Sequence, residues 1–561
     1  MSIPNYCTVL VVGGGPAGSY TASALAREGV DVVLLEMDIF PRYHIGESML
    51  ASMRHFLRFI DCEKTFDEYG FTIKVCNGAG FKLNNKEPGY TDFIQATGPG
   101  GYSWNVIRSE SDKLMLDHAE KVGAKTFQGV KVESIEFEPA PDFPEDDRIC
   151  NPGRPISAAW SRRADGAKGT ISFEYLVDAS GRNGIVSTKY LKNRKFNQAL
   201  KNLAQWGYWK GVKTYAPGTS REGSPAFEAL TDHSGWCWAI PLHDGTMSVG
   251  IVMHQERSLE RKKKLGSPST MEYYKHCLTL APEIFERMKD AELVSPTIKS
   301  ASDWSYSASA YSGPNLRIVG DAGCFIDPYF SSGVHLGLAG ALTAAMTIQA
   351  ARNGDCSEYD AAKWHTIKIA ESYSRFLLVV MTALKQIRKG DEPVITDFDE
   401  DGFDRAFGFF RPIIQGIADA DVDGKLTQGL VSKSLEFCFH AFENVTPDQR
   451  MAVLTKLESV KADPRTETKE DLEKLTEDEL AILRTIRARQ MMRTEDAMNI
   501  KNFLDDVVEG YVPRLVRGQL GLRKRDEDAG PGVATSTLFE VGMTAQMHSG
   551  AAGGNAIAVA E

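Results

Sequence analysis

Apolar residues recur along this chain in two rhythms, one of strands buried on both faces and one of helices. Residues 8–12 (TVLVV) form an unbroken β-branched and leucine run that stops at Gly13, Gly15 and Gly18. Such a run reads as a strand covered on both sides and feeding a tight turn. Small, helix-compatible residues over 20–27 predict a helix whose free N–H groups face the glycines. A second strand over 32–35 (VVLL) ends at Glu36. Met53, Phe56, Leu57 and Ile60 fall at i, i+3, i+4 and i+7 and predict a helix opened by Gly46, Glu47 and Ser48. Residues 103–108 (SWNVIR) read as a strand end, followed by a helix capped by Ser109, Ser111 or Asp112. The segment 69–83 is broken by glycine and reads as a loop carrying Lys74 and Lys82.

Farther on, alternation over 130–137 predicts a half-exposed strand, 139–155 a Pro- and Asp-rich loop, and two more strands lead to a glycine turn at Gly181. From about 185 to 300 the strand–helix rhythm is lost, and aromatic strands such as 206–209 and 235–241 predict an inserted sheet. The buried pattern returns at 316–322, followed by a small-residue helix after Gly333. Beyond 355 the chain reads as an all-helical unit, with capping boxes at 446–449 and 476–479.

Strand, glycine turn, helix, second strand and acid in register make a dinucleotide-binding unit. The acid about 20 residues past the glycines is where a ribose is held. Composition narrows the class further. A chain of 561 residues, 42% hydrophobic, is large enough for three or four units at ~150 residues each. Its net charge of −11 and unpooled basic residues argue against nucleic acid as a partner. The first strand leaves no room for a signal peptide, and the apolar stretch 334–351, interrupted by polar residues, reads as a buried helix. No membrane contact and a cytoplasmic location are expected. Nine scattered cysteines without a CxxC pair read as reduced thiols, with no metal site. The residues divide as 1–184, a first dinucleotide-binding part; 185–300, the inserted sheet; 301–354, the return of the first fold; 355–525, the helical unit; and 526–561, a tail whose composition predicts disorder.

Gly13-x-Gly15-x-x-Gly18, Asp178 with Gly181, and Gly320-Asp321-Ala322, in this order, resemble the FAD pattern of flavin monooxygenases and their relatives. The resemblance implies an α/β fold, the FAD-binding Rossmann-like three-layer fold of that superfamily, with the inserted sheet as substrate domain and a helical C-terminal unit. It places Gly13, Gly15, Ala17, Gly18, Glu36, Arg42, Ser48, Arg108 and Asp321 along the cofactor, Glu36 on the adenosine ribose and Asp321 at the ribitol or pyrophosphate. Trp236, Cys237, Trp238, Ala239, Ile240 and Pro241 match the W-x-W-x-I-P signature of flavin-dependent halogenases, and Lys74 matches their active lysine, with Lys82 its near competitor. Segments 42–49 (RYHIGESM) and 325–336 (FIDPYFSSGVHL) look like fungal phenolic halogenases acting on polyketides, the radicicol-pathway type in particular. The Glu-Ser-Thr-Gly run of tryptophan halogenases reads Phe330, Ser331, Ser332, Gly333 here, which argues against tryptophan as substrate.

By the same resemblance, FAD arrives as FADH2 from a separate NAD(P)H-dependent flavin reductase, since no second GxGxxG unit is present. Dioxygen and chloride, the latter held at Ser332 and Gly333, then give hypochlorous acid by way of a flavin hydroperoxide. Lys74 relays the oxidant to a small-molecule phenol, either as a chloramine or through a hydrogen bond. Bromide is the variant halide. His44, His233 and His335 are candidate bases for the phenol by residue type alone. Two rivals stand beside this reading: a phenol hydroxylase of the same fold, and a flavoprotein without turnover.

Overall fold

The computed structural model describes residues 2–75, 79–82, 89–90 and 102–389 (apart from 145, 147 and 220), scattered positions between 449 and 483, and 507–525. In chain order the elements are β1 (Tyr6–Val12), α1 (Pro16–Arg27), β2 (Val32–Glu36), α2 (Ser52–Phe59), α3 (Glu63–Tyr69), β3 (Thr72–Val75), β4 (Gly80–Lys82), β5 (Gly89–Tyr90), β6 (Tyr102–Asn105) and α4 (Arg108–Lys121). Next come β7 (Lys125–Gln128), β8 (Val130–Glu138), β9 (Arg154–Arg162), β10 (Lys168–Asp178), β11 (Arg194–Lys210), β12 (Ala226–Ala229), β13 (Gly235–Pro241) and β14 (Met247–His254). The remainder is α5 (Gln255–Lys264), α6 (Thr270–Leu278), α7 (Pro282–Arg287), β15 (Glu292–Leu293), β16 (Lys299–Ala308), β17 (Ser312–Gly313), β18 (Leu316–Ile318), α8 (Gly333–Asn353), α9 (Glu358–Lys389), β19 (Tyr511–Arg514) and β20 (Gly521–Lys524).

The first sheet runs β17-β18-β10-β1-β2-β7, parallel from β18 to β7, with β9 and β8 added beside β10. Because side chains alternate across a strand, Val9 and Val11 of β1 join a core with α1, α4 and α8, while Leu10 and Val12 join another with Val130, Val132 and Ile135 of β8. Two buried faces explain why the run over 8–12 carries no polar interruption. The helix α8 is the one among the described residues long and apolar enough to cross a membrane, and 89% of its apolar window lies inside the protein. Its small residues serve close packing: a β-carbon at Gly320 would lie 3.1 Å from Ala17 Cβ, and one at Gly337 would lie 3.6 Å from it. This contact draws the turn after β18 onto the start of α1, so the two glycine turns meet.

The second sheet runs β15-β11-β14-β13-β12-β4-β5, with β16, like β15, on the edge of β11 opposite β14. It therefore takes β4 and β5 from upstream of residue 185, and β16 carries it past 300. Several local expectations are corrected. Gly46, Glu47 and Ser48 do not open α2; Ser48 pairs with Asn105 in an isolated bridge, and Val106 N donates to the Glu47 carbonyl, so the backbone there is strand-like. Helix α4 begins at Arg108 with Ile107 at its N-cap and no side-chain cap, leaving Ser109, Ser111 and Asp112 inside the helix. Lys74 sits on a strand, opposite Ser103, not in a loop. The chain after 355 is not wholly helical, since β19 and β20 form a hairpin whose Leu520 and Leu522 join the core of α8. The box at 476–479 forms, with Glu479 N donating to Thr476 Oγ1 at 3.3 Å and Thr476 N to Glu479 Oε2 at 2.8 Å. Most of the box at 446–449 and the whole tail after 525 lie outside the described residues.

Candidate active site

At the end of β1 the backbone of Gly13 turns with φ +107°, and a methyl there would overlap the Ala179 carbonyl, as one at Gly18 would overlap the carbonyl of Gly13. Only glycine permits this close turn. Gly15 is the N-cap of α1 and Pro16 its first residue, with no side chain capping the helix, so the N–H groups of the first turn face outward toward an anion. Glu36, buried at the end of β2, accepts from Gly14 N at 2.5 Å and from Asp38 N at 2.7 Å, which fixes its carboxylate beside the loop. Ala17 packs under Gly320, and Arg42 reaches Gly15, its Nη2 lying 3.4 Å from where a β-carbon of Gly15 would be.

A buried ion cluster continues the groove. Arg108 donates Nε and Nη2 to the two oxygens of Asp112 at 2.8 and 3.0 Å, and Nη1 to the Ile45 carbonyl at 2.9 Å. Arg42 Nη1 donates to the same Asp112 at 2.9 Å. Burial pulls the Asp112 pKa up, but Arg108 and then Arg42 more than offset it and hold the carboxyl below its ordinary range. Burial pushes Asp321 up to about 6 against the attraction of Arg108, Arg182 and Arg194. Methyl-intolerant glycines, an uncapped helix start, a ribose-ready carboxylate and two arginines facing a buried acid fit the phosphates and sugars of FAD. Contacts thus link the glycine loop to Glu36 and to Arg42, and Arg42 through Asp112 to Arg108.

Lys74 reaches the segment that follows Gly46. Its Nζ is buried and donates to Ser48 Oγ at 3.0 Å and the Met49 carbonyl at 2.7 Å. Next in the chain, Ile73 is half exposed, so the strand's alternation turns the lysine inward. Lys82 instead pairs with Glu283 at 2.5 Å on the second sheet, separate from this cluster. Ser332 caps α8 through its carbonyl, which accepts from Leu336 N at 2.9 Å, while its hydroxyl is buried without a partner. Among the described residues nothing lies within 4 Å of where a side chain at Gly333 would begin. The turn before it is anchored by Asp327, which accepts from Asn202 Nδ2 at 2.7 Å and from Tyr329 N at 3.1 Å. A helix start with open space at the Gly333 β-carbon position and a hydroxyl beside it without a partner among the described residues suits an anion.

Trp236 and Trp238 project from β13. Trp236 stands edge-on to Tyr329 at 5.0 Å, with its Nε1 and the Tyr329 hydroxyl both buried and without a partner among the described residues. Trp238 Nε1 donates to Ser248 Oγ at 3.1 Å, its ring occupying space left by Gly250 across the strand pair, and Pro241 closes the strand opposite Met247. Of the candidate bases, His233 lies in a turn with φ +60°. His44 Nδ1 bonds the Ile45 carbonyl at 2.7 Å, and Arg108, then burial, lowers its pKa to about 4. His335 Nδ1 meets Ser52 Oγ at 2.7 Å, and burial lowers its pKa to about 3. Sequence reasoning missed Asp112 as the arginine anchor, although its i, i+4 spacing from Arg108 signals the pair. Nor does any local signal pair Glu47 with Tyr208, whose hydroxyl donates to it at 2.7 Å, or Trp236 with Tyr329. Among the described residues no cluster of metal-ligating side chains occurs, and the seven described cysteines are free.

Residues 6–366 match the FAD-binding-domain family. The chain is 56% identical over 531 residues to the sulochrin halogenase gedL of Aspergillus terreus, covering 94% of this chain and 95% of that protein. It is 54% identical over 530 residues to the flavin-dependent halogenase ptaM of Pestalotiopsis fici, covering 94% of this chain and 96% of that one. Among solved structures, the flavin-dependent halogenase CmlS superposes with a TM-score of 0.65 at 23% identity over 93% of this chain and 84% of that one, a likeness of fold.

Proposed function

Because the chain belongs to the FAD-binding-domain family and, within it, to the fungal flavin-dependent halogenases, we propose that it chlorinates an electron-rich phenolic polyketide, as sulochrin is, through Lys74. The observation that carries the reading is a buried lysine, held by Ser48 and Met49, in a chain that also carries the W-x-W-x-I-P strand. When bound, reduced FAD with dioxygen and halide supplies an electrophilic halogen oxidant. Arg42, Arg108 and the α1 start hold the anionic end of the cofactor; Glu36 takes the ribose; Asp321 takes the ribitol or pyrophosphate region. Chloride, or bromide, sits before Ser332 and Gly333. Lys74 presents the oxidant to the ring, and the closed packing around it keeps water from consuming the oxidant first. A phenol suits this chemistry because its oxygen enriches the ortho and para carbons. FADH2 comes from a separate flavin reductase, and the protein acts in the cytoplasm.

The test is turnover of a panel of phenols with FAD, NADH and chloride, with and without an added flavin reductase, read by mass spectrometry. Chlorinated product that requires both reductase and chloride is expected. Hydroxylated product formed with NADPH and no reductase would overturn the proposal.

A further inference from the structure

A hydrogen-bonded line of side chains leads from the protein surface to the residue between the cofactor groove and Lys74. Tyr43 is 48% exposed and Glu47 3% exposed. Trp206 Nε1 donates to Tyr43 Oη at 2.6 Å, the Tyr43 and Tyr208 hydroxyls are 3.0 Å apart, and Tyr208 Oη donates to Glu47 Oε1 at 2.7 Å. The ends of this line fix its direction. An indole N–H only donates and a carboxylate only accepts. While Glu47 is ionised, the Tyr208 hydrogen therefore goes to Glu47, and the Tyr43 hydrogen goes to Tyr208. Every hydroxyl hydrogen points inward.

Glu47 also stands at a junction. Its neighbour Gly46 offers its carbonyl to Arg108 at 3.3 Å, and its other neighbour, Ser48, accepts from Lys74. Ser248, which accepts from Trp238, lies beside the same carboxylate. The halogenation proposed above, on which this inference rests, balances as FADH2 + O2 + Cl− + ArH + H+ → FAD + ArCl + 2 H2O. One proton enters a water-poor site per turnover, and bulk water cannot carry it there freely. We propose that Tyr43, Tyr208 and Glu47 are the proton-entry wire of this site, with Glu47 as the inner proton-delivery group.

The surroundings suit the role. Burial raises Glu47 to about 7, with the Ser248 and Tyr208 hydroxyls and Arg108 pulling it back down and Asp244 pushing it up, so the carboxyl takes up and gives up a proton near neutral pH. Burial holds Tyr43 up at about 12, and burial with the Glu47 charge raises Tyr208 farther, so both hydroxyls pass protons without ionising. Lys299 lies over the Tyr43 ring at 3.9 Å, the one other charge found against the outer end among the described contacts.

The experiment uses the full chain with Glu47→Gln, Tyr208→Phe and Tyr43→Phe. In flavin-free protein, infrared difference spectra across pH should contain a protonated-carboxyl band titrating near neutrality that is absent in Glu47→Gln and shifted in Tyr208→Phe. In turnover with excess reductase, Tyr208→Phe and Glu47→Gln should lose on the order of 10²-fold in rate. Their FAD affinity should stay at the wild-type level. Small weak acids in the buffer should restore part of the rate, a rescue that a structural defect would not give. Wild-type pH profiles and no buffer-acid rescue in variants that still chlorinate would overturn the wire. If the wild type chlorinated no phenol, the functional reading would fall, and an infrared band indifferent to Tyr208→Phe would separately overturn the wire.

Discussion

Replacing Asp112 by Asn tests how the cofactor groove is held together. Asp112 is 1% exposed and receives two hydrogen bonds from Arg108, itself 6% exposed, and one from Arg42. The Asn side chain keeps the shape but removes the charge. Arg108 then keeps one neutral amide oxygen at 112 besides the Ile45 and Gly46 carbonyls, while Arg42 keeps its stacking on the Phe40 ring at 4.6 Å. Breaking a buried pair by removing one partner costs about 3–5 kcal/mol, because a desolvated charge is left behind. Arg42, partly exposed, adds little. Against a typical stability of roughly 5–15 kcal/mol, that is a large fraction, and at just under about 1 °C per kcal/mol for a chain of this length it lowers Tm by about 3–4 °C. The same loss misplaces both arginines toward FAD, so affinity should weaken by about tenfold or more, each factor of ten being ~1.4 kcal/mol. Thermal unfolding and flavin fluorescence quenching measure the two effects. The carboxyl is depressed in the folded protein, so its stabilisation is present at neutral pH and fades only as pH falls below ~3.9; the gap between wild type and variant should be flat from pH 8 to 5. Lys113→Ala, which removes an exposed pair with Asp117, should change Tm by no more than ~1 kcal/mol in equivalent. An Asp112→Asn protein with wild-type Tm and wild-type FAD affinity would refute the argument.

A methyl at Gly250 would overlap the Trp238 ring and Trp206 Cβ, so Gly250→Ala should cost about 1–3 kcal/mol by overpacking. It should also lower the chlorinated product formed per flavin oxidised while FAD affinity stays unchanged; unaltered yield would count against a role for Trp238. Burial lowers His335 to about 3, so the unfolded chain takes up a proton below about 6.5 while the fold does not. The wild type should therefore lose about 1.4 kcal/mol per pH unit relative to His335→Gln as pH falls from 6.5, seen as a closing gap in urea midpoints between pH 7 and 5; a constant gap would mean the imidazole is not held neutral. Lys82→Ala, breaking a half-exposed pair with Glu283, should leave chlorination within about twofold, since such pairs contribute little.

What could be read from the sequence was whatever a short window determines. The run over 8–12, the glycines and Glu36 specify strand, turn, helix and acid within one βαβ unit, and the structure returns them with β1 against β2 in parallel register. The halogenase signature was equally local, and its tryptophans lie on β13 as an uninterrupted strand. Readings failed where distant segments set the outcome. Ser48 is held in strand form by Asn105, far along the chain, so local helix signals around Gly46 were overridden. Lys74 was read as a loop residue because its strand pairs with β6, beyond the window that shaped the reading. The second sheet recruits Gly80 and Phe81 beside Ala226 and Phe227, a parallel pairing across a long separation that no periodicity announces. Glu47 carries no motif for its tyrosine partner, which arrives from β11.

The account rests most heavily on Lys74. The direct measurement is chlorination of a phenol by Lys74→Ala beside the wild type, with reductase, FAD, NADH and chloride supplied, read by mass spectrometry while NADH consumption is followed. Chlorinated product from the wild type, none from the variant, and continued reduced-flavin oxidation in both is the predicted result. A product one oxygen heavier, free of chlorine and formed equally by both proteins, would contradict it.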